Sequence, residues 1–322
     1  LYHLIFVVKI KNNMTVCILG SGLSALILAK ALVNQNINVD CISSIKNNKI
    51  SRLRTLGISK SNFEYINKNL LHIGNIAWKL NKIEIFTENL KNEKILSFKN
   101  NNDQLFYIIK NFQIYDLLKK KLLKNKYFKK KYLKSFNEFE KYDLIINTDY
   151  SNNITKKFFS KKIVKTYNSL AYTTIIKHKK ISNNIATQIF TKKGPLAFLP
   201  ISDTQTSIVY SITYSKKIKN ENIFEYINRY NFKYEILNIE HTEFVELKSF
   251  NLRSYYHQNI LAFGDLLHKI HPLAGQGFNM TIRDTKLLID LIEKKTSLGL
   301  PIDKSICIDF EKKIKHKNLI FT

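Results

Sequence analysis

The sequence predicts a mixed α/β fold, in which a Rossmann-like domain is built from three segments and an antiparallel-sheet domain is inserted between them. The first indication is a strand, glycine loop, helix and strand from Thr15 to Ile42. The second is a strand, loop and helix from Ile260 to Glu293. The third is the alternation of apolar and polar residues between Tyr167 and Ile212, typical of antiparallel strands. A chain of 322 residues is long enough for two such domains.

The first glycine loop has the spacing of a dinucleotide-binding motif. It lies between a predicted strand and a predicted helix, and a second strand follows: Thr15–Leu19, Gly20–Ala25, Leu23–Asn34 and Asn38–Ile42. In a G-x-G-x-x-A loop, Gly20 permits a tight turn and Gly22 lets the backbone approach a pyrophosphate. Ala25 takes the third position, where helix and strand touch. The pattern therefore predicts a bound dinucleotide.

One element of that motif is missing. An acidic residue for the adenosine ribose is expected about 20 residues beyond the loop, and Ser43 and Ser44 stand there instead. A serine hydroxyl can bond a ribose, but more weakly than a carboxylate. The nearby Asp40 lies within the predicted strand and is expected to face away from the site.

The loop Gly264–Asn279 is the more informative one. An apolar strand, Ile260–Phe263, precedes it, and a helix is predicted for Met280–Glu293. Such a loop brings backbone N–H groups and a helix N-terminus against an anionic or electron-rich ligand. Together, the two glycine loops predict one large cofactor held from both ends of the chain.

The elements between the loops complete the domain assignment. Further strands are predicted at Lys82–Thr87, Lys94–Lys99, Leu144–Ile146, Tyr172–Ile176, Thr187–Phe190, Leu196–Leu199 and Ser207–Ile212, and helices at residues 103–124, Ile223–Tyr230 and Ser305–Phe321. The cofactor domain is predicted to comprise residues 14–72, 100–166 and 250–322, and the inserted domain residues 73–99 and 167–249. Because Met14 directly precedes the first strand, residues 1–13 are expected to be an upstream extension. The last helix has no stop signal, so a truncated C-terminus is expected.

Charge and cysteine content restrict the classes of partner. The net charge is +27, which favours either an anionic surface or general enrichment in lysine, and enrichment is the preferred interpretation. No nucleic-acid-binding motif accompanies the charge, so nucleic acid is excluded as a partner. Cys17, Cys41 and Cys307 match no metal or redox spacing, which predicts a reducing cytoplasm. Cys17 and Cys41 fall in predicted buried strands and are expected to be core residues. No apolar stretch reaches the roughly 18 residues that span a bilayer.

Three motifs resemble those of para-hydroxybenzoate-hydroxylase-type FAD-dependent monooxygenases, above all the ubiquinone-biosynthesis hydroxylases. They are the Gly20–Ala25 loop, the arginine-led segment Arg54–Ser59 and, most specifically, Gly264–Asn279. The segment Gly194–Pro200 resembles a strand pair of that subfamily's substrate domain. The likeness covers the chain from Met14 onward and lacks only the family's last helices.

The resemblance implies a role for each matching residue. Gly20 and Gly22 would face the FAD pyrophosphate, Arg54 would lie beside the cofactor, and Asp265 would hold its ribityl and pyrophosphate region. Pro272, Gly275, Gln276, Gly277 and Asn279 would line the isoalloxazine edge. The cofactor-binding set implied by these motifs is Gly20, Gly22, Ala25, Ser43, Arg54, Asp149, Gly264, Asp265, Pro272, Gly275, Gln276, Gly277, Phe278 and Asn279. No side chain is expected to act as catalytic acid or base, because the flavin carries the chemistry, near Pro272, Gly275 and Gln276.

The implied function is hydroxylation of a phenol with NAD(P)H and O₂. By resemblance, the substrate is a hydrophobic, polyprenylated phenol on the way to ubiquinone. That substrate would bring the protein to the inner membrane surface as a peripheral protein, alongside other ubiquinone-biosynthesis proteins. Two alternatives stay open: an isoprenoid-reducing flavoprotein of the same fold, and a degenerate relative that acts as a scaffold.

The departures from the family pattern support the second alternative. The family's Asp-Gly motif, followed by a serine and an arginine, is present here as Asp149-Tyr150-Ser151, with Lys156 in place of the arginine. In the family this motif serves both FAD and the nicotinamide, so NAD(P)H use is the least supported part of the prediction.

The two histidines of the C-terminal loop raise the question of a metal. His268 and His271 are spaced as on one helix face, but Pro272 argues against a helix there. No carboxylate or cysteine completes a ligand set. Both are therefore predicted to be structural, with His271 near the flavin and no metal bound.

Overall fold

The computed structural model describes residues 14–43, 50–88, 94–99, 104–132, 136–213, 223–269 and 276–319. Its strands are β1 Thr15–Leu19, β2 Asn38–Ser43, β3 Thr55–Ser59, β4 Ala77–Leu80, β5 Lys82–Thr87, β6 Lys94–Lys99, β7 Phe106–Lys110, β8 Phe128–Tyr132, β9 Leu144–Asn147, β10 Lys162–His178, β11 Ile185–Thr191, β12 Gly194–Pro200, β13 Gln205–Thr213, β14 Ile236–Ile239, β15 Glu243–Leu252, β16 Tyr256–His257, β17 Ile260–Ala262 and β18 His268–Lys269. Its α-helices are α1 Leu23–Asn34, α2 Lys60–Tyr65, α3 Asn111–Leu123, α4 Asn153–Phe158, α5 Ile223–Tyr230, α6 Gln276–Ser297 and α7 Lys304–Leu319.

A six-stranded sheet carries the two glycine loops. Its strand order is β16-β17-β9-β1-β2-β8, and every pair is parallel except the terminal pair of β16 and β17. The central strand β1 is buried from Val16 to Leu19, and eight of the twelve residues of α1 are buried. Continuous apolar strands of this kind form parallel sheets that are covered on both faces.

A nine-stranded sheet forms the second layer. Its order is β18-β15-β10-β13-β12-β11-β5-β6, with β14 pairing with β10. Helix α5 covers one face, where Ile223, Ile227 and Tyr230 are buried in one cluster with Phe198 and Tyr210. The period-two alternation places the intervening residues on the opposite face.

A three-stranded sheet, β3-β7-β4, links the two larger sheets. Ile108 of β7 and Leu80 of β4 are buried in a cluster with Ala186 of the nine-stranded sheet. Lys110 of β7 also donates a hydrogen bond to Gln205 Oε1, at the start of β13 (2.8 Å).

The predicted fold class is confirmed, with one element assigned wrongly. Residues 103–124 were expected to form one helix, but Phe106–Lys110 is β7 and the helix begins only at Asn111. The cause is tertiary: β7 pairs antiparallel with both β3 and β4, and its aromatic and β-branched residues suit a strand. Helix α6 begins at Gln276, four residues before the predicted start.

The domain boundaries stay a prediction. Residues 1–13, predicted to be an upstream extension, and Ser44 lie outside the described residues. All three cysteines are buried, which confirms the core positions predicted for Cys17 and Cys41, and burial raises the pKa of Cys41 and Cys307 to about 12. A thiol of this kind is a weak nucleophile at neutral pH.

Candidate functional site

The predicted motifs meet at one edge of the six-stranded sheet. Strands β1, β2, β9 and β17 run parallel, so their carboxyl ends lie side by side. The first glycine loop follows β1, the Asp149 segment follows β9 and the Gly264 turn follows β17. The crevice outside such carboxyl ends is the usual place for a ligand in an open α/β sheet.

Gly20 joins the first motif to the middle one. Its φ of +119° is rare for residues with a side chain, and an added Cβ would lie 2.2 Å from Thr148 Oγ1. Its N–H donates a hydrogen bond to the Ile42 carbonyl (2.8 Å) at the end of β2. Only glycine fits at this position. Its contacts hold the turn after β1 against the end of β2 and the segment that follows β9.

Gly264 joins the two ends of the chain. Its φ is +63°, and an added Cβ would lie 2.6 Å from Ser24 Cβ in the first turn of α1. The C-terminal loop therefore packs directly on the helix that begins in the N-terminal glycine loop. The two loops lie in one place, as the sequence predicts.

The N-terminus of α1 is open. A Cβ added at Gly22 would meet no atom within 4 Å, no side chain caps the helix, and its first turn holds no acidic residue. Free N–H groups and the positive end of the helix dipole make such a terminus a site for an anion. Ala25, in the same turn, is completely buried and packs in the core, as predicted for the third position of the motif.

Asp265 supplies a negative charge on the other side of the crevice. Solvent reaches its side chain although protein surrounds it, which places the carboxylate on the wall of a cleft. Burial raises the pKa of Asp265, and the charges of His268, Lys269 and Arg54 oppose that rise. Arg54 therefore lies near Asp265, as the motif requires. Among the described residues, no group donates a hydrogen bond to the Asp265 carboxylate, so it is available to a ligand.

The end of β2 carries a serine pair where the ribose carboxylate is missing. Ser43 Oγ and Ser21 Oγ are 2.9 Å apart. Asp40 is buried and its carboxylate is bonded elsewhere, by Tyr142 Oη at 2.7 Å and Lys131 Nζ at 2.5 Å. The expectation that Asp40 faces away from the site agrees with these contacts.

Asp40 and Ser43 are expected to respond oppositely to substitution. Asp40→Asn removes the charge from a buried network, so urea unfolding should show a loss of about 1–3 kcal/mol with no change in Kd for FAD. Ser43→Ala should leave stability within about 1 kcal/mol and weaken FAD binding several-fold. An Asp40→Asn protein that binds FAD more weakly at unchanged stability would assign the ribose contact to Asp40 instead.

The middle motif is held by its own side chains. Asp149 Oδ1 accepts hydrogen bonds from the N–H (2.8 Å) and hydroxyl (2.7 Å) of Ser151. Tyr150 donates from its hydroxyl to the Asp265 carbonyl (2.6 Å), and its ring meets Phe250 edge-on with centroids 6.2 Å apart. Tyr150 thus connects the middle motif to the C-terminal one. Nothing in the sequence signalled this contact.

The last predicted segment is described only in part. Pro272, Gly275 and His271 lie outside the described residues, as does the side chain of Gln276, where α6 begins. A Cβ at Gly277 would meet nothing within 4 Å, and Phe278 is buried in the core.

Asn279, predicted to lie along the isoalloxazine, bonds three groups of β3 and α2. Its Oδ1 accepts from Ser59 N–H (3.0 Å) and Asn62 Nδ2 (2.9 Å), and its Nδ2 donates to the Gly57 carbonyl (2.8 Å). Its side chain therefore fixes the start of α6 against the Arg54–Ser59 segment.

A buried histidine–aspartate pair supports the C-terminal loop. His268 Nε2 lies 2.6 Å from Asp284 Oδ2, and Arg283 Nη2 donates to Asp284 Oδ1 at 2.8 Å. Both partners of the pair are almost fully buried. His268 Nδ1 has no hydrogen-bond partner among the described residues. The predicted structural role of His268 agrees with this pairing, but its partner, 16 residues later on α6, was not predicted.

The described residues offer neither a metal-binding cluster nor a membrane-spanning helix. No cluster of three or more His, Cys, Asp or Glu side chains that could hold a metal ion occurs among them. None of the helices in those residues is both long and apolar enough to cross a membrane.

Comparison with solved structures finds the same fold in a monooxygenase and in a protein solved with FAD. The p-nitrophenol 4-monooxygenase of Pseudomonas putida DLL-E4 matches with a TM-score of 0.73 at 12% identity, over 92% of this chain and 84% of that one. The Klebsiella pneumoniae protein HpxO, solved with FAD, matches with a TM-score of 0.72 at 11% identity, over 96% and 88%. At these identities the likeness concerns the fold alone.

Sequence comparison decides the relationship. The 3-demethoxyubiquinol 3-hydroxylase of Escherichia coli (strain K12) is 32% identical over 113 residues, 33% of this chain and 29% of that protein. The FAD-dependent monooxygenase atnA of Arthrinium sp. is 40% identical over 48 residues, 15% of this chain and 6% of that protein. The relatives of this chain are monooxygenases, FAD-dependent ones among them. A mitochondrial ubiquinone biosynthesis monooxygenase of Drosophila melanogaster is 34% identical over 67 residues, 20% of this chain and 14% of the relative. No protein-family model matches the chain.

These comparisons confirm the predicted resemblance, and the predicted enzyme class and FAD cofactor agree with the relatives' names. The matches span less than a third of the curated relatives' own lengths. The activity of the whole protein, its substrate and its partners are therefore matters of proposal.

Proposed function

We propose that this protein is an FAD-dependent hydroxylase of a hydrophobic phenol, with NAD(P)H as reductant and O₂ as oxidant. The observation that carries the proposal is the convergence of three distant motifs on one crevice. Gly20 packs on Thr148, Gly264 packs on Ser24, and Arg54 lies near Asp265. Such close backbone packing has an evident use if a long cofactor lies across the junction.

The residues of the crevice fit FAD. The uncapped α1 N-terminus at Gly22 would hold the pyrophosphate, with Arg54 as a cation nearby. The Asp265 carboxylate, which no described group bonds, would accept hydrogen bonds from the ribityl hydroxyls. The Ser21–Ser43 pair would meet the adenosine ribose. When bound, FAD supplies the redox chemistry that activates oxygen and delivers one atom to the ring.

Residues of the chain would orient the flavin and keep water away from it. The start of α6 would present its positive dipole end to the pyrimidine edge of the flavin, where negative charge develops on reduction. Asn279 holds that helix end in place, and Tyr150 holds the Asp265 turn. The sheet face opposite α5 would supply an apolar surface for the phenol and exclude water.

A polyprenylated phenol is the proposed substrate class, by similarity to the ubiquinone-biosynthesis relatives. The peripheral position at the inner membrane, the cytoplasmic side and the partnership with other enzymes of that pathway belong to the same proposal. A net charge of +27 would attract the protein to an anionic membrane surface, whatever the origin of that charge.

The test is spectroscopic first and isotopic second. Purified protein supplied with FAD is expected to show the visible absorption bands of bound oxidised flavin. A phenol should then accelerate NAD(P)H oxidation. When the reaction is run with labelled dioxygen, one labelled oxygen atom should appear in the product. A colourless protein after FAD addition would favour the scaffold alternative, and a reduced isoprenoid without labelled oxygen would favour the reductase.

Asp265→Asn is expected to weaken FAD binding about tenfold or more, since hydrogen bonds to a charged group contribute about 1.5–3 kcal/mol. The same variant should stabilise the FAD-free protein at neutral pH. Burial raises the pKa of Asp265 above its unfolded value, so the ionised carboxylate lowers stability as pH rises through that range. Melting curves of the FAD-free protein against pH, with FAD titration by fluorescence, measure both effects. An unchanged Kd would exclude Asp265 from the cofactor site.

A further inference from the structure

A row of side chains crosses the nine-stranded sheet from its middle to one edge. The strand registers align Thr173 with Val209, Val209 with Ala197, Ala197 with Gln188, Gln188 with Ile85, and Ile85 with Leu96. We call these six residues the cross-sheet row. Six strands lie about 4.8 Å apart, so the row is about 24 Å long.

The row lies on the face opposite α5. Its neighbours along the strands, among them Tyr210, Phe198 and Phe86, belong to the cluster packed beneath that helix. Successive side chains of a strand point to opposite faces. The row therefore belongs to the face that the three-stranded sheet also contacts.

Four of the six side chains of the row are apolar, the other two, Thr173 and Gln188, are polar but uncharged, and the row is incompletely covered. Val209, Ala197 and Ile85 are partly accessible and join none of the hydrophobic clusters formed by the described residues. Leu96 is 50% exposed at the outer end. None of the six is charged, in a chain where 24% of residues are. Apolar area left open in this way favours an apolar ligand.

The adjacent row supplies one wall. Leu199, Ala186 and Ile83 lie one step along the same strands and the same face, and they pack against Trp78 and Ile108 of the three-stranded sheet. The cross-sheet row runs beside this contact. It thus forms the floor of a trough whose one side is the three-stranded sheet.

The trough begins beside the candidate cofactor crevice. Ser207 lies two residues before Val209, on the same strand and the same face. The hydroxyl oxygens of Ser207 and Thr55 are 3.0 Å apart. Thr55 follows Arg54, which lies near Asp265. A ligand whose ring sits at the crevice can therefore extend along the row to the edge strand β6.

We propose that the cross-sheet row binds the extended hydrocarbon tail of the phenolic substrate. This inference rests on the proposed function and adds to it the path of the tail. A hydrocarbon chain needs no hydrogen bonds, which matches a floor of Val209, Ala197, Ile85 and Leu96. The length of the hydrocarbon tail sets how many of these side chains it covers, so the affinity for the substrate is expected to increase with tail length.

The chain contains a built-in probe, because Trp78 is its single tryptophan. The indole lies in the wall beside the row and donates a hydrogen bond to the Asn183 carbonyl (2.6 Å). Quenching of its fluorescence in the FAD-loaded protein can be titrated with 2-methylphenol, 2-geranylphenol and 2-farnesylphenol. Kd is expected to fall at least about tenfold from the methyl to the farnesyl compound, since each buried methylene contributes about 0.8 kcal/mol.

Two variants and a matched control complete the test. Leu96→Glu at the edge and Ile85→Glu further in should remove most of the gain from the farnesyl tail and leave the Kd of 2-methylphenol and of FAD unchanged. Leu237→Glu changes an equally apolar side chain, 65% exposed on β14 and outside the row. It should keep the full tail dependence.

The outcomes separate this inference from the proposed function. If 2-methylphenol and FAD bind but the tail adds nothing, or if Leu237→Glu acts like Leu96→Glu, the tail site is wrong and the proposed function stands. If neither FAD nor 2-methylphenol binds, the proposed function fails and this inference fails with it.

Discussion

Gly22→Val is expected to weaken FAD binding about ten- to hundredfold while the protein keeps its stability. Gly22 has ordinary backbone angles, and an added Cβ meets nothing within 4 Å, so a side chain fits the protein alone. The same space is where a pyrophosphate would reach the α1 N-terminus. Forcing a side chain against a bound group costs about 1–3 kcal/mol. FAD titration and thermal melting of the FAD-free protein measure the two quantities.

Gly20→Ala, two residues earlier, should behave in the opposite way. Its positive φ and the 2.2 Å approach to Thr148 Oγ1 leave no room for a Cβ, so the FAD-free protein should lose about 3 kcal/mol or more. Gly299→Ala is the control that measures backbone strain without a steric clash, because Gly299 has a φ of +69° and an added Cβ would meet no atom within 4 Å. It should cost about 1–2 kcal/mol and leave FAD binding unchanged. Wild-type affinity in Gly22→Val would show that the cofactor does not approach this helix end.

Asp284→Ala is expected to destabilise the protein by about 3–5 kcal/mol, because it removes the buried carboxylate that His268 and Arg283 share. Asp284 is fully buried and receives hydrogen bonds from Arg283 as well as its contact with His268. The pair ties β18 to α6, the two elements that precede and follow residues 270–275. Urea unfolding of the FAD-free protein measures the loss.

Asp290→Ala is the matched control, since Asp290 lies on the same helix but is exposed; its effect should stay within about 0.5 kcal/mol. The double variant His268→Leu with Asp284→Leu should recover part of the stability, because apolar replacement of both buried partners leaves neither polar group without the other. Equal losses of stability in Asp284→Ala and Asp290→Ala would show that the buried His268–Asp284 pair does not stabilise the protein.

Local pattern explains which elements were predictable. Thr15–Leu19 and Leu23–Asn34 have the predicted bounds, because the glycine loop separates an apolar strand from an Ala/Leu-rich helix. The stretch Phe106–Lys110 was included in a helix predicted for residues 103–124 from the apolar side that Leu117, Leu118 and Leu122 form. What makes it a strand is pairing with β3, about 50 residues earlier, and no local signal carries that information.

In the candidate site too, some residues were predictable from the local sequence pattern and others were not. Gly20 and Gly264 were predictable because glycine in a strand-to-helix turn has few other uses, and the structure gives both a positive φ. The bond from Tyr150 to Asp265 spans 115 residues. The role of Asn279 depends on three partners more than 200 residues away. Contacts of this range follow from the packing of layers, which the order of residues alone does not specify.

The packing of Gly264 on Ser24 has a consequence for how the protein is made. The central strand β1 is synthesised early, but β17, which leads into Gly264, is added to the sheet some 240 residues later. Contacts between such distant segments slow folding, because the long intervening chain must first be ordered. On the ribosome, the emerging chain therefore exposes the α1 helix end long before its counterpart exists. Cofactor loading should be one of the last events in maturation, after β17 has docked.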